Sequence, residues 1–414
     1  MEHRKSGSQR PLIRRVAQPK SKMIKIMHVI TTLGPAGAET MLCRLASGMD
    51  ASRFENEVVS LTGILDLADR MQAIGVRVRT LGMKTSVPNP LLVLRLAQWI
   101  RESKPDLIQT WMYHANLVGA LAARLARNVP VVWGIHHSGL DSSMGNRRTM
   151  LVSRACALLS RKYAAHIVCC SEASLQVHAK LSYAAEKLEV IPNGFDLQQV
   201  KPDPAARTSL REELGIPVET LLIGIAARFH PHKDHRNFIE AAARLHKVFP
   251  GVHFLLCGLD IAWQNSQLVE WIDAAGLRDC CHLLGVRQDV SRLFAGMDIA
   301  TTASRSEAFP VVIGEAMACG TPCVVTDVGD SAMIVDQTGI VVPPENAAAL
   351  AEAWRKLVDA GPEVRRRLGI AARHRVQQHF ALPIVVERYQ AIYAKLAAGS
   401  QQHLLSPGVP QCAQ

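Results

Sequence analysis

No apolar run in this sequence approaches the roughly twenty residues that a membrane-spanning helix needs. The longer uncharged stretches, such as 221–227, are of strand length. The N-terminus has no short apolar core, so it does not read as a secretory signal. No C-x-x-C pair occurs among the ten cysteines, which argues against a zinc site. Without a signal, the thiols are expected to be reduced and the protein cytoplasmic. Neither G-x-G-x-x-G nor a P-loop ending in Lys-Ser/Thr is present, so the motifs of dinucleotide and ATP binding are missing. Acidic charge is also short, with a formal balance of +11. The excess is uneven: Arg4, Lys5, Arg10, Arg14, Arg15, Lys20 and Lys22 face only Glu2 within residues 1–22. The rest of the chain is only mildly basic, so charge does not argue for nucleic-acid binding.

What is present is regular alternation. Strand-like segments at 24–32, 55–61, 77–81, 107–110, 131–135, 167–170 and 189–191 are separated by helical patterns, one of them at 146–165. The alternation lapses between 196 and 217, where Lys201-Pro202-Asp203-Pro204 and Gly215-Ile216-Pro217 punctuate a polar stretch. It restarts with strands at 221–226, 253–257, 281–284, 299–302 and 322–326. The 414 residues therefore divide into two α/β domains, each a doubly wound parallel sheet. The expected organisation is a disordered basic arm at 1–22, a first domain at 23–197, a linker at 198–216 and a second domain at 217–380. A helix at 381–397, packing back on the first domain, and a disordered tail at 398–414 complete it. Ligands of such sheets sit beyond the carboxyl ends of the strands, so two facing sheets make a cleft.

The chemistry-bearing residues all follow strands. Gly34-Pro35-Ala36-Gly37 opens the first helix, where backbone N–H groups can approach a phosphate or sugar, or where glycine merely shapes a turn. Arg228 and Lys233 flank the loop after the first strand of the second domain. Two cations there suit a diphosphate and can offset leaving-group charge without a metal ion; the alternative is a pair of solvated loop charges. Glu307 lies in the loop after strand 299–302, and Glu315 lies in an apolar helix at 312–319. A carboxylate in such a helix needs a partner, either sugar or ribose hydroxyls or a structural arginine. The start of that helix, around Pro310, Val311 and Val312, can offer N–H groups to phosphate.

The segment Glu307-Ala308-Phe309-Pro310-Val311-Val312-Ile313-Gly314-Glu315 has an E-x7-E spacing that resembles the signature of retaining glycosyltransferases of family 4. The resemblance extends to Gly34–Glu39, Val190–Asp196, 227–234 and 284–290, in that order. It implies the GT-B fold, two Rossmann-like domains facing across a cleft. By position, Glu315 would meet the nucleotide ribose and Glu307 the donor sugar. Arg228 and Lys233 would hold the diphosphate, Gly37 the phosphate or acceptor, and Val286 the base through its backbone. Phe309, Pro310, Val311 and Val312 complete the donor side. A first-domain histidine often contacts the donor sugar, and His136 is favoured over its neighbour His137. Gly34, His114 and His137 are acceptor-side candidates. Two departures bear on the donor sugar: Met333 stands where an acid is common, and Phe309-Pro310 replaces Phe-Gly.

The function implied is transfer of a sugar, with retention, from a UDP- or GDP-linked donor to an acceptor hydroxyl in polysaccharide or glycoconjugate synthesis. No cofactor and no metal are implied. The expected partners are the nucleotide sugar, a saccharide or lipid-linked acceptor, and an anionic membrane surface at which the protein is peripheral; nucleic acid is not expected. Helix 146–165, with Arg147, Arg148, Arg154, Arg161 and Lys162 beside Met150, Leu151, Val152, Leu158 and Leu159, fits that surface; the alternative is an ordinary packed helix with solvated arginines. The competing readings are a GT-B phosphorylase or epimerase, and a non-catalytic adaptor on the same scaffold.

Overall fold

The computed structural model describes residues 23–405 apart from Pro35, 64–66, 84–89 and 139–146. The basic arm at 1–22 and the end of the tail at 406–414 lie outside the described residues. Among the described residues the strands form two parallel sheets, each covered on both faces by helices.

In the first sheet, β1 (Ile24–Ile30), β2 (Phe54–Ser60), β3 (Arg77–Thr80), β4 (Leu107–Trp111), β5 (Val131–Ile135), β6 (His166–Cys169) and β7 (Leu188–Val190) run in the order β3-β2-β1-β4-β5-β6-β7. The connecting helices are α1 (Gly37–Gly48), α2 (Leu67–Ala73), α3 (Pro90–Ser103), α4 (Met112–Ala126), α5 (Arg147–Tyr163) and α6 (Glu172–Lys180). Helix α7 (Ala206–Leu214) precedes the second sheet. There, β8 (Leu221–Ala226), β9 (Val252–Cys257), β10 (Cys281–Leu283), β11 (Ile299–Thr302), β12 (Cys323–Thr326) and β13 (Ile340–Val342) run in the order β10-β9-β8-β11-β12-β13. Its helices are α8 (His235–His246), α9 (Ser266–Ala274), α10 (Val290–Gly296), α11 (Val311–Ala318), α12 (Ser331–Val335), α13 (Ala347–Asp359) and α14 (Gly361–His379), and α15 (Leu382–Leu405) ends the described chain. The central strands are near-continuous apolar runs, as sheets buried on both faces require.

The strand order places a switch point in each sheet, β1 against β4 and β8 against β11, where successive connections leave in opposite directions. A crevice opens at the carboxyl ends of such a pair. The glycine loop and Trp111–His114 follow β1 and β4. The Arg228–Lys233 loop and Glu307 follow β8 and β11. The topology therefore delivers the motif residues to two facing crevices.

The chain crosses between the units twice, side by side. Phe195 N–H donates to Phe380 O, and Leu382 N–H donates to Phe195 O. The Phe195 ring is fully buried against α11, so close that a Cβ on Gly314 would lie 2.1 Å from it. Beyond the second crossing, α15 returns to the first sheet. Its Leu382, Val385, Val386, Tyr389 and Tyr393 join the core under β1 and α1, and Tyr393 Oη donates to buried Gln109 at 2.9 Å.

Two expectations from sequence need correction. Residues 198–216 are not a bare linker, because α7 occupies their centre. Buried Arg211 on α7 pairs with Asp298 at 2.6 Å and donates to Gly296 O, which fastens the helix to the second unit. The tail is not irregular from 398, because α15 runs to Leu405. Alanine, glutamine and leucine sustain the helix, and after Pro383 in its first turn no proline occurs before Pro407.

Burial also sets the ionisation of several histidines. His28, in the middle of β1, has its Nε2 3.0 Å from Asn56 Oδ1, and its Nδ1 accepts the Trp111 indole N–H. That arrangement suits the neutral ring, and burial lowers its pKa to about 4. His178 and His235 are likewise buried and lowered to about 4. Below about pH 6.5 the unfolded chain takes up protons that these folded rings refuse, so stability falls as the pH drops from there toward 4. Thermal melting between pH 7.5 and 4.5 is expected to show this decline. His28→Gln, which has no titrating ring, should decline less steeply.

Candidate active site

The second unit supplies the charge. The 3-10 turn Pro231–Lys233 is stapled to the loop after β11, since Arg305 N–H donates to His232 O and the Arg305 guanidinium holds Asp234 at 2.8 and 3.1 Å. Asp234 in turn caps α8 by accepting the Asn237 N–H. This clasp brings the Lys233 ammonium onto Glu307 Oε1, which also accepts Ser304 Oγ–H at 2.7 Å. Arg228, at the end of β8, is exposed and makes no hydrogen bond or ion pair among the described residues. The structure thus brings Lys233 and Glu307 together, and leaves Arg228 uncommitted.

Helix α11 begins at Val311, and its first N–H groups, at Val311 and Val312, have no intrahelical acceptor. Both residues are half-buried at the rim. Phe309 does not line the cleft with its ring. That ring is buried, stacked on Phe195 at 6.2 Å and edge-on to Phe380 at 5.9 Å, because the crossings need apolar packing there. Pro310 is buried as the cap residue of α11. Val286 is exposed, after Gly285 has tied the β9 and β10 loops together through Gly258 N–H and Ile261 O.

One turn into α11, Glu315 Oε1 accepts a 2.7 Å bond from Arg44 of α1, in the other unit. The arginine alternative for Glu315 is therefore realised. Two further bridges cross the cleft. Ser138 Oγ donates to Glu307 O. Asp330 accepts the N–H groups of Glu172 and Ala173, the first residues of α6, at 2.8 and 3.0 Å. Burial pushes the Asp330 carboxyl up, and those two N–H bonds oppose the shift. Its neighbour Gly329 has φ +55° and lies so near Glu307 O that a Cβ would sit at 2.4 Å.

The first unit supplies polar atoms in search of partners. His136 packs 5.2 Å from the Trp111 ring, and burial lowers its pKa to about 4. Neither ring nitrogen has a hydrogen-bond partner, and Asn193 Oδ1 and His114 Nε2 are in the same state. Buried polar atoms without partners are costly and point to a ligand. His114 is also lowered by burial. His137 is exposed, and its carbonyl accepts Ser174 Oγ–H. Gly37 opens α1 with no side-chain cap before it, and a Cβ there would meet nothing within 4 Å, so packing does not demand the glycine. Gly34 is half-buried beside it.

Among the described residues, no group of three or more His, Cys, Asp or Glu side chains is placed to hold a metal ion. Sequence reasoning passed over Arg44, Asp330, Ser138 and Asn193. Asp330 had a readable signal, an acid in a Gly-Asp-Ser turn beyond β12. Arg44 had none, since a cation on a helix surface is usually solvated.

Two family models match this chain, Glycosyltransferase Family 4 over residues 35–199 and Glycosyl transferases group 1 over residues 206–375. The chain belongs to glycosyltransferase family 4. EpsF of Bacillus subtilis (strain 168) is 28% identical over 320 residues, which is 74% of this chain and 80% of EpsF. The N,N'-diacetylbacillosaminyl-diphospho-undecaprenol alpha-1,3-N-acetylgalactosaminyltransferase of Campylobacter jejuni is 24% identical over 358 residues, 83% of this chain and 92% of the enzyme. The crystal structure of Anabaena HepE in complex with UDP-glucose superposes with a TM-score of 0.78 at 25% identity, covering 90% of this chain and 100% of HepE. The two sheets are those of the GT-B fold. As a family 4 member, the protein is a retaining glycosyltransferase that uses a nucleotide sugar in polysaccharide or glycoconjugate synthesis.

Arg228 is the sharpest point of the family 4 cleft to probe, because no neighbour depends on it. Arg228→Ala is expected to keep the wild-type melting temperature and lower turnover by roughly 10²–10³-fold, as removal of one charge-stabilising donor does. Lys233→Ala is expected to lose as much turnover and also some stability, since Glu307 loses its cation. Turnover within twofold of wild type for Arg228→Ala would make that cation a bystander.

Proposed function

We propose that this family 4 enzyme transfers a hexose from a UDP-sugar to a hydroxyl of a lipid-linked saccharide while resting on an anionic membrane surface. The observation that carries the donor side is the uncommitted Arg228 after β8, together with the Lys233–Glu307 pair and the open N-terminus of α11. In this reading Arg228, Lys233 and the Val311 and Val312 amides hold the diphosphate. Glu315 accepts ribose hydroxyls, the loop at Val286 meets the base, and Glu307 and His136 meet the sugar. The sugar C1–oxygen bond to the diphosphate breaks as the acceptor oxygen attacks from the same face. The departing phosphate oxygen takes the acceptor proton. Cations beside that oxygen are worth most as its charge builds, which favours the transition state over the ground state. UDP is favoured by the likeness to HepE with UDP-glucose, and a lipid-linked acceptor by the likeness to the Campylobacter enzyme.

The membrane reading has its own support. No helix among the described residues is long and apolar enough to cross a bilayer. Helix α5 instead packs inward through Ser153, Cys156, Ala157 and Ser160 and turns five cations and no acid outward or along its flanks. Leu151 and Leu158 stand among them 63% and 84% exposed, and Leu91 and Leu94 are exposed on α3. Cations with interleaved leucines suit an interface of anionic lipid. Helices α3 and α5 both begin at the cleft end of the first sheet, so this face would bring the cleft to the lipid.

The test uses UDP-hexoses and a polyprenyl-diphosphate saccharide in anionic vesicles, with a water-soluble saccharide in parallel. The expected product is an α-glycoside formed from an α-linked donor without added metal. The double variant Leu151→Ser/Leu158→Ser should lose transfer to the vesicle acceptor and keep transfer to the soluble one. Sugar phosphate formed from inorganic phosphate in place of glycoside would favour a phosphorylase and overturn the proposal.

A further inference from the structure

Arg44 is the one first-unit cation joined to a carboxylate of the E-x7-E segment among the described residues. It projects from the third turn of α1 to the point where both units and the crossing chain meet. One guanidinium nitrogen donates to Glu315 Oε1 at 2.7 Å and another to Gly194 O at 3.2 Å. The guanidinium lies 5.7 Å from the centre of the Phe195 ring, within reach of a cation–π contact. Phe195 in turn packs on Gly314, the residue before Glu315. The arginine is thus gripped by the crossing segment and grips the carboxylate. The Arg44 and Glu315 side chains are 18% and 20% exposed, so the pair is shielded but reachable from the cleft.

A carboxylate offers about four lone-pair sites, and Arg44 takes one of them. Room remains for two hydroxyl donors. The bond therefore does not block a ribose. It holds Glu315 in one orientation, which spares the nucleotide the entropy of fixing a mobile glutamate. We infer that Arg44 is a positioning residue for nucleotide binding, by which the acceptor-side unit sets the carboxylate that the donor-side unit presents to the ribose. Nucleotide affinity then depends on how the two units are docked, although Arg44 itself need not touch the nucleotide. This rests on the reading of Glu315 as the ribose partner.

Calorimetric titration of UDP into the full chain tests the inference, with melting of the nucleotide-free protein beside it. Arg44→Met is expected to weaken UDP by about tenfold, equivalent to one lost interaction of roughly 1.4 kcal/mol, and Arg44→Lys to recover most of that loss. In a Glu315→Gln background, Arg44→Met should weaken UDP no further. A merely structural arginine would lower the melting temperature in both backgrounds and leave UDP affinity alone, and that result overturns the inference. So does tighter UDP binding by Arg44→Met, which would make the arginine a competitor of the ribose. If Glu315→Gln weakens UDP while Arg44→Met does not, the positioning role fails alone. If Glu315→Gln binds UDP as wild type does, the ribose reading fails and the inference with it.

Discussion

The cleft is governed by the need to give two carboxylates partners among apolar elements. Glu307 follows β11, and Glu315 sits in a helix whose other early residues are valine, isoleucine, glycine and alanine. Each is held by a cation that the fold brings from a distance in sequence. Lys233 reaches Glu307 because Arg305 clasps the Asp234 end of its loop. Arg44 reaches Glu315 because α1 is docked at the crossing. An unpaired carboxylate in such surroundings would be costly, so the geometry of these pairs constrains the loops, the crossings and the docking of the units together.

The crossings show how that constraint is met by packing. Phe195 fills the space that Gly314 leaves empty, Phe309 stacks against it with Phe380 edge-on to Phe309, and α15 seals the far side against the first sheet. The apolar junction keeps the units in register, and the polar bridges at Ser138, Asp330 and Arg44 lie around it. The Ser138 and Arg44 bridges end on Glu307 and Glu315 of the family motif. If Glu307 and Glu315 bind the donor as proposed, ligand binding and domain docking act on the same two residues.

Much of this was legible in the sequence. Alternating apolar runs and helical periods identify both sheets, because strands buried on two faces must be apolar and their crossovers must be helical. The E-x7-E spacing and the strand-end cations point to the cleft for the same topological reason. Helix α7 escaped because proline and glycine bracket a polar nine-residue stretch whose few inward positions, Ala206, Leu210 and Arg211, include a cation. The Phe309 ring escaped because a motif residue need not face the ligand. The partners of Glu315 and of the α6 N-terminus escaped for a deeper reason. They form between units, and no local periodicity records which helix surface will meet which loop once two domains dock.

The central claim is that Glu315 serves the nucleotide and Glu307 the sugar. The most direct measurement is calorimetric affinity for free UDP of Glu315→Gln against Glu307→Gln, each beside the wild type. A hydrogen bond to a charged group is worth about 1.5–3 kcal/mol, so its loss is well within reach of the method. The account predicts UDP binding weakened at least tenfold in Glu315→Gln and not weakened in Glu307→Gln, which should still fail in transfer. Equal UDP affinity in the two variants would contradict it.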